Sequence, residues 1–407
     1  MKAPFLFFIT ILFLLVSCEK HNEDIPVFKF KDDKKATELI SAGSEFGLDL
    51  FRNVLGSEDC PENIMISPMS VAIALGMTYN GAEGDTKTAF ENTLRHQGLS
   101  REEINDIYKA LIDYLLKADR KVIFEIANSI WYRQDFNVLQ SFTDVNSEYY
   151  YAEVRALDFN NANAVRIIND WAALKTHDKI KDVLDYIPGD AVMYLINALY
   201  FNGMWKYRFD EENTFAGSFH GENDEVQVNY MKNESTYNYF ENDLLSAIEL
   251  PYGNGNFVMH VFLPKVSKSV EELTEEITPE NWSVWMGSFT LREEVEVQLP
   301  KFKYEYKTLL NDPLTQMGLG NAFSGQADFS GISTDYDLYI SRVIHKTFID
   351  VNEKGTEAAA VTVVEIRYTS VPEKTRFIAD RPFIYAISEK NTGALLFMGK
   401  VGNPQYQ

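Results

Sequence analysis

The sequence contains few groupings of residues that could carry catalysis. No His-Glu-x-x-His pair, no cysteine pair with zinc-ligand spacing and no Gly-x-Ser-x-Gly elbow occurs in its 407 residues. Residues 81–87 superficially resemble a phosphate-binding loop, but their spacing and order favour a turn between helices. The histidines lie singly along the chain, at His21, His96, His177, His220, His260 and His345. We therefore expect no metal, no cofactor and no enzymatic activity, although a dispersed triad stays open.

One segment has a pattern with a different consequence. Residues 356–366 read Thr-Glu-Ala-Ala-Ala-Val-Thr-Val-Val-Glu-Ile, and both charges fall on the same alternating set. The other set is uncharged and begins with small residues: Thr356, Ala358, Ala360, Thr362, Val364 and Ile366. Successive side chains of a strand point to opposite faces, so the pattern predicts a strand with one face suited to close burial. Gly355 precedes this strand and can act as a hinge.

The residues that follow are of another kind. Residues 367–374 read Arg-Tyr-Thr-Ser-Val-Pro-Glu-Lys, a polar and turn-prone stretch typical of an exposed loop. On pattern alone, an ordinary amphipathic strand followed by a surface loop accounts for both segments. The pattern by itself therefore assigns no function.

The beginning of the chain has the features of an export signal. An apolar run over residues 3–16, interrupted only by Thr10, is too short to span a bilayer. It ends in Leu15-Val16-Ser17-Cys18, which resembles the bacterial lipoprotein box, where the peptide is removed and the cysteine is lipidated. We expect a signal peptide over 1–17, a tether over 18–36 from lipidated Cys18, and one domain over 37–407. The alternative is an ordinary secretory signal with an incidental cysteine.

Composition narrows the class of protein further. The formal net charge is −22, and the absence of any dense Lys/Arg cluster argues against a nucleic-acid partner. With 28 Phe and 22 Tyr, the chain can fill a large core. The only other cysteine is Cys60, so lipidation of Cys18 would leave no intrachain disulfide. We interpret Cys60 as a plain surface or half-buried thiol.

Helical and strand-like patterns alternate along the chain without a low-complexity linker. The spacing of apolar residues predicts helices over 36–55, 67–79, 83–94, 100–117 and 165–182. Strand-like runs predict strands over 122–132, 193–202, 247–252, 257–263, 294–299, 338–350, 377–388 and 394–401. These patterns indicate a mixed α+β class with substantial sheet.

Short motifs form an ordered series from about residue 40 to the end. Among them are Asn63-Ile-Met-Ile-Ser67-Pro68, Asn197-Ala-Leu-Tyr-Phe-Asn-Gly-Met-Trp205, Leu299-Pro-Lys-Phe302, Asp380-Arg-Pro-Phe383 and Phe397-Met-Gly-Lys-Val401. In order and spacing this series resembles the serpin family of protease inhibitors. The resemblance implies one large, metastable α+β domain with three β-sheets, eight or nine helices, and an exposed reactive-centre loop over about residues 353–379.

The resemblance also implies a mode of action. The loop is bait for a serine protease, and possible targets extend to cysteine proteases. Before the acyl-enzyme is hydrolysed, the cut loop inserts as a new central strand of the main sheet and the protease is distorted. The residues that begin this insertion form the hinge: Glu353, Gly355, Thr356, Ala358, Ala359 and Ala360.

Family correspondence assigns three further sets of residues. Where the sheet opens, the polar shutter consists of Ser67, Ser70, Asn197 and His345. Where insertion begins, the breach consists of Trp205 and of Lys301 paired to Glu353. The family count from Glu353 places the cut between Thr369 and Ser370, whereas counting back from Pro382 places it nearer Val371. Use of Thr369 suits elastase-like proteases, Tyr368 chymotrypsin-like ones and Arg367 trypsin-like ones.

A non-inhibitory serpin acting as a binding or carrier module is the alternative function. Such relatives commonly carry bulky, charged or proline residues in the hinge, and this hinge has none of these on its uncharged face. One departure from the family is His177-Asp178, where a glycine often precedes Lys-Ile, and we expect it to reshape that turn. We expect a monomer anchored in a bacterial cell envelope, in the outer membrane and displayed at the surface.

Overall fold

The computed structural model describes residues 28–56, 62–222, 224–335, 337–356 and 374–406. Within these ranges the chain forms nine α-helices and fifteen β-strands. The helices are α1 (Lys34–Leu55), α2 (Pro68–Tyr79), α3 (Gly84–Thr93), α4 (Arg101–Leu115), α5 (Gln140–Tyr150), α6 (Ala164–Lys175), α7 (Val270–Glu275), α8 (Pro279–Ser288) and α9 (Asn311–Leu314). The predicted mixed α+β class is confirmed.

The strands alternate with these helices along the chain. They are β1 (Asn63–Ile66), β2 (Val122–Arg133), β3 (Glu153–Leu157), β4 (Met193–Met204), β5 (Phe215–His220), β6 (Glu225–Glu241), β7 (Leu245–Pro251), β8 (Phe257–Pro264), β9 (Thr290–Pro300), β10 (Phe302–Leu309), β11 (Ile344–Asn352), β12 (Gly355–Thr356), β13 (Arg376–Ile378), β14 (Phe383–Glu389) and β15 (Leu395–Val401). Strand β12, whose described part ends at Thr356, joins two longer strands.

Several helices begin at residues that cap them. Ser67 accepts a hydrogen bond from the Ser70 amide, and Pro68 occupies the first position of α2, where its missing N–H costs nothing. Ser100 and Glu103 form a capping box at the start of α4. The start of the fold lies earlier than the expected boundary at residue 37. Helix α1 already begins at Lys34, and Phe28 is buried against Tyr114.

Three predicted elements differ most from the observed ones. The helix predicted over 165–182 ends at Lys175, because His177 and Asp178 adopt positive φ angles of 49° and 64° that a helix cannot contain. The strand predicted over 338–350 begins only at Ile344. The run predicted over 377–388 is two strands, β13 and β14, separated at 379–382 by a segment that includes Pro382.

Two hydrogen-bonded networks of strands make up the sheets. The first is a six-stranded sheet with the order β10-β11-β12-β4-β2-β3. The second has the order β1-β15-β14-β8-β7-β6-β9-β13, with β5 beside β6. Strand β6 pairs with β5 over residues 225–230, with β9 over residues 230–239 and with β7 over residues 238–241, and its pairing with β9 shifts register between Ser235 and Tyr237. A small sheet is thus continuous with a larger one through β6, as the expected three sheets require.

The main core lies between the six-stranded sheet and the larger part of the second network. Every residue of β8 is buried, as predicted for a strand covered on both faces. Helix α6 lies on the opposite face of the six-stranded sheet, where Trp171 packs edge-on against Trp131 with ring centroids 6.2 Å apart. Strands β2, β4 and β11 of this sheet therefore have apolar residues packed on both faces. Across the described ranges, no helix is both long and apolar enough to cross a membrane.

Candidate functional site

The hinge is a tight turn at the top of the six-stranded sheet. Strand β11 ends at Asn352, and the chain returns as β12, in which Gly355 pairs with Asn352 and Thr356 with Val351. On its other edge β12 pairs with β4, Gly355 opposite Met204 and Thr356 opposite Gly203. Gly355 and Thr356 therefore already occupy a place between β11 and β4.

Gly355 is required by this arrangement. Its φ angle is +151°, and a Cβ at this position would lie 2.1 Å from the carbonyl oxygen of Gly203 and 2.7 Å from the Cα of Met204. Both atoms belong to the backbone of β4, so they cannot move aside as a side chain could. Only glycine allows β12 to approach β4 this closely.

Aromatic residues beneath the turn hold the hinge in place. Trp205 donates from its indole Nε1 to the carbonyl oxygen of Asn352 at 2.9 Å, and its ring stacks on Tyr252 at 4.4 Å. The hydroxyl of Tyr252 lies 2.6 Å from that of Thr356, and both side chains are buried. The predicted breach residue Trp205 thus contacts the hinge, and Tyr252 is an additional contact. Tyr252 ends the strand predicted over 247–252, but nothing in the sequence links it to residue 356.

The predicted ion pair of the breach is present. Lys301 Nζ lies 3.0 Å from Glu353 Oε2, and both side chains are largely buried. The hydroxyl of Thr214 donates to the other carboxylate oxygen at 2.8 Å. Burial raises the pKa of Glu353, but hydrogen bonds from its own amide, Lys301 and Thr214 together with the Lys301 charge lower it more, so the net pKa is below the usual value. Glu353 is therefore ionised at neutral pH and anchors the turn.

A slot continues below β12. Among the described residues, β11 and β4 are each paired to β12 and not to each other. A cavity of about 520 Å³ lies in the lower part of this gap. Residues 193–198 of β4 and 344–346 of β11 line it, together with the buried face of α2 and residues after α6. The cavity thus lies between β4 and β11, below the described end of β12.

The four predicted shutter residues lie around this slot, but they do not form one cluster. The amide of Ser67 donates to His345 Nε2 at 3.0 Å, while its hydroxyl donates to the Leu396 carbonyl at 2.7 Å and accepts from the Ser70 amide at 3.2 Å. Asn197 lies on β4 and donates instead to Asn128 Oδ1 at 2.6 Å. Ser67, Ser70 and His345 are therefore brought together, whereas Asn197 is held on the other side.

Two groups at the slot are notable for their electrostatics. His345 is buried, and burial lowers its pKa to about 4, so its ring is neutral and accepts from Ser67 at physiological pH. The side-chain oxygen of Asn197 is buried without a hydrogen-bond partner. A buried acceptor of this kind is costly unless a donor reaches it.

A crossing segment, residues 176–185, runs over the slot between α6 and β4. His177 Nε2 lies 2.8 Å from Glu125 Oε2 on β2, and its ring lies 4.4 Å from that of Tyr200 on β4. On the other side, the ammonium of Lys346 donates to the Lys181 carbonyl and that of Lys307 contacts Asp185. The segment is thus tied to the strands on both sides of the slot. Sequence reasoning singled out His177-Asp178 but not these ties.

The remaining predicted residues lie outside the described ranges. They are Cys18, Ala358, Ala359, Ala360, Arg367, Tyr368, Thr369, Ser370 and Val371, together with Cys60. Within the ranges that are described, no group of three or more His, Cys, Asp or Glu side chains is placed to hold a metal ion.

Comparison with known proteins identifies the family. The family model described as Serpin (serine protease inhibitor) matches residues 41–404. A serpin-like protein of Methanosarcina acetivorans is 38% identical over 389 residues, covering 91% of this chain and 89% of its own. The leukocyte elastase inhibitor of Bos taurus is 33% identical over 379 residues, covering 90% and 100%. The chain belongs to the serpin family, many of whose members inhibit proteases.

Solved structures agree with this assignment. The thermophilic serpin tengpin in its native state superposes with a TM-score of 0.81 at 33% identity, covering 89% of this chain and 94% of that one. Human thyroxine-binding globulin superposes with a TM-score of 0.82 at 27% identity, covering 91% and 100%. A non-inhibitory protein of the same fold thus binds thyroxine, so family membership alone does not decide between inhibition and a binding role.

Proposed function

We propose that this chain is a suicide-substrate inhibitor of serine proteases whose cleaved loop inserts into the slot between β4 and β11. The observation that carries the proposal is the placement of β12, which is paired on both edges at the top of that slot. The next residues of the chain are those with the alternating small and uncharged set. Insertion would then continue a strand that has already begun.

The register of β12 predicts where each loop residue would go. Thr356 pairs with Gly203 and Val351, and both neighbouring strands run antiparallel to β12. Continuing that register places Thr362 opposite Asn197 and His345. It places Ile366 opposite Met193, the first residue of β4. The hydroxyl of Thr362 could then donate to the unpartnered oxygen of Asn197.

The orientation of the Thr356 side chain predicts which side chains of the inserted loop would be buried. Its side chain points to the core, at Tyr252. Alternation would put the whole uncharged set, from Ala358 to Ile366, on that same face. The apolar face of α2 lines the cavity beneath. Burial at about 25 cal/mol per Å² and new backbone hydrogen bonds on both edges would drive the insertion.

For the bait itself we propose cleavage between Thr369 and Ser370, with Val371, Tyr368 and Arg367 as alternatives for the residue before the cut. Elastase-like proteases would use Thr369, chymotrypsin-like ones Tyr368 and trypsin-like ones Arg367; cysteine proteases are a further target class. An inserted strand ending near Ile366 leaves only a few residues before each of these bonds. The acylated protease would therefore be drawn to the lower end of the sheet.

Incubation with pancreatic elastase, chymotrypsin, trypsin and a cysteine protease tests this function. The expected result is an SDS-stable complex with at least one of them and a cut whose position is read by mass spectrometry. The nicked protein should also melt well above the intact one. Clean cleavage with full recovery of protease activity and no rise in melting temperature would overturn the proposal.

The second candidate function is a non-inhibitory carrier or binding module. It is favoured by the likeness to thyroxine-binding globulin and by a cavity large enough for a small molecule. A carrier should keep a bound hydrophobic ligand after purification and should form no covalent complex with any protease. The hinge composition favours inhibition.

We also propose that the protein is anchored to a bacterial outer membrane through lipid on Cys18 and displayed at the cell surface. The lipoprotein-box sequence before Cys18 supports the anchor. Metabolic labelling with a fatty acid should mark the wild-type chain and leave Cys18→Ser unlabelled. Protease treatment of whole cells should remove the protein, and its survival under that treatment would rule out surface display.

A further inference from the structure

The residues that follow β15 return to the hinge. The carbonyl oxygen of Gln405 accepts a hydrogen bond from the amide of Lys303 at 2.8 Å, which attaches this segment to β10. The ring of Tyr406 then lies over the ammonium of Lys301, 4.3 Å from its centroid. This is the same ammonium that pairs with Glu353 at the hinge. The breach ion pair is thus covered by a residue that the motif series does not include.

Tyr406 also reaches the strand that leads into the hinge. Burial, the charge of Asp350 and a hydrogen bond with that carboxylate raise the pKa of Tyr406 to about 12, so its hydroxyl is protonated at neutral pH. Asn352 donates to Asp350 Oδ1 at 3.1 Å, and its own side-chain oxygen accepts from the Lys354 amide. Tyr406 therefore touches both the ion pair and the polar contacts that shape the turn.

We propose that Tyr406 is a positioning residue of the hinge, whose ring fixes Lys301 on Glu353 and so keeps Gly355 and Thr356 paired within the sheet. A cation over an aromatic face is stabilised most where water is excluded, and Lys301 is largely buried. Without the ring the lysine side chain gains freedom to turn toward solvent, and Glu353 loses its partner for part of the time. The hinge then leaves the sheet more often. The consequence for inhibition rests on the proposed function, whereas the positioning itself does not.

Amide hydrogen exchange on the intact full-length protein tests the positioning directly. In Tyr406→Leu, peptides that cover residues 350–356 should exchange about five- to tenfold faster than in the wild type. In Tyr406→Phe, which keeps the ring and loses the hydroxyl, exchange of the same peptides should stay within about twofold of wild type.

Tyr151 supplies a matched control. Its ring lies 5.8 Å from Lys109 Nζ, its hydroxyl bonds Asp113 at 2.7 Å, and its pKa is likewise raised to about 12 by burial and that carboxylate. Tyr151→Leu should leave hinge exchange unchanged. Unchanged exchange in Tyr406→Leu, or equal acceleration in Tyr151→Leu, would overturn the proposal. Loss of protection in Tyr406→Leu, with no protease complex formed by the wild type, would uphold the positioning while the proposed function fails.

Discussion

The hydroxyls of Tyr252 and Thr356 lie 2.6 Å apart in the core beneath the hinge. Tyr252 directly follows β7, and Thr356 is the last residue described before the loop. This contact fixes which face of the loop strand would enter the core. It also makes residue 356 the position where a substitution should have the clearest effect.

Thr356→Arg should convert an inhibitor into a substrate. Thr356 is already buried beside Tyr252, so an arginine there would expel β12 from the sheet, and insertion would then have to return that charge to the core and would be slower than hydrolysis of the acyl-enzyme. The fraction of protease trapped, measured on SDS gels, should fall by at least about tenfold. Glu357→Arg is the matched control, because alternation places that side chain on the opposite face. Undiminished trapping by Thr356→Arg would discredit insertion as the mechanism.

Gly355→Ala should expel β12 from the sheet. The new Cβ would lie 2.1 Å from the Gly203 carbonyl oxygen, and a φ of +151° is unfavourable for alanine. We expect the free energy of unfolding to fall by about 1 kcal/mol or more, measured from urea midpoints. Gly189→Ala, with nothing within 4 Å of its Cβ, should leave it unchanged. Equal stability of the two variants would contradict the proposed close approach of β12 to β4.

Lowering the pH should reduce the stability of the fold, because His345 beside the slot becomes protonated. Its pKa is about 4 in the fold against 6.5 for the free side chain, so the unfolded chain binds the proton more readily. The stabilising effect of the neutral ring is complete above about pH 6.5 and is lost as the pH falls toward 4, a loss of about 3 kcal/mol. His345→Gln, which keeps an acceptor for Ser67, should therefore show a smaller loss between pH 7.5 and 4.5.

Urea midpoints across this pH range measure the effect of His345. The exposed residue His220, replaced by glutamine, serves as control and should follow the wild type. The buried His96 and His260, whose pKa values are lowered by burial to about 3 and about 4, keep part of the acid sensitivity in every variant. A His345→Gln profile identical to wild type would show that His345 does not titrate in this range.

The Lys301–Glu353 pair should show strong coupling in a double-mutant cycle. Glu353→Gln removes the carboxylate and leaves a largely buried ammonium without its counter-charge, which should cost about 1 to 3 kcal/mol in unfolding free energy. Adding Lys301→Met should restore part of that loss, because no unpaired charge remains. Additive effects of the two substitutions would mean that the pair does not anchor the turn.

Much of the fold is predictable because motif and periodicity agree. The apolar run of β8 is buried over its whole length, and Ser67-Pro68 caps α2 as its residue types predict. The ion pair between Lys301 and Glu353 also follows from family correspondence. These features depend on neighbours in sequence or on pairs that the family shares.

Other features depend on distant contacts that local patterns do not encode. The helix predicted to reach residue 182 has apolar residues at helical spacing. His177 nevertheless lies outside the helix, where it contacts Glu125 and Tyr200. Family correspondence names Asn197 as a shutter residue but does not predict its hydrogen bond to Asn128 on the neighbouring strand. Tyr406 lies far from residue 301 along the chain, so only the folded structure brings the two together.

The ties of the crossing segment have a mechanical consequence. His177 holds one end to β2 and β4, while Lys346 and Lys307 hold the other to β11 and β10. Separation of β4 and β11 beneath this segment would stretch the contacts on both sides of the slot. An entering strand would break these contacts one after another, beginning with those nearest Thr356. The hinge would therefore determine when strand insertion begins, and the contacts of the crossing segment would determine how fast insertion is completed.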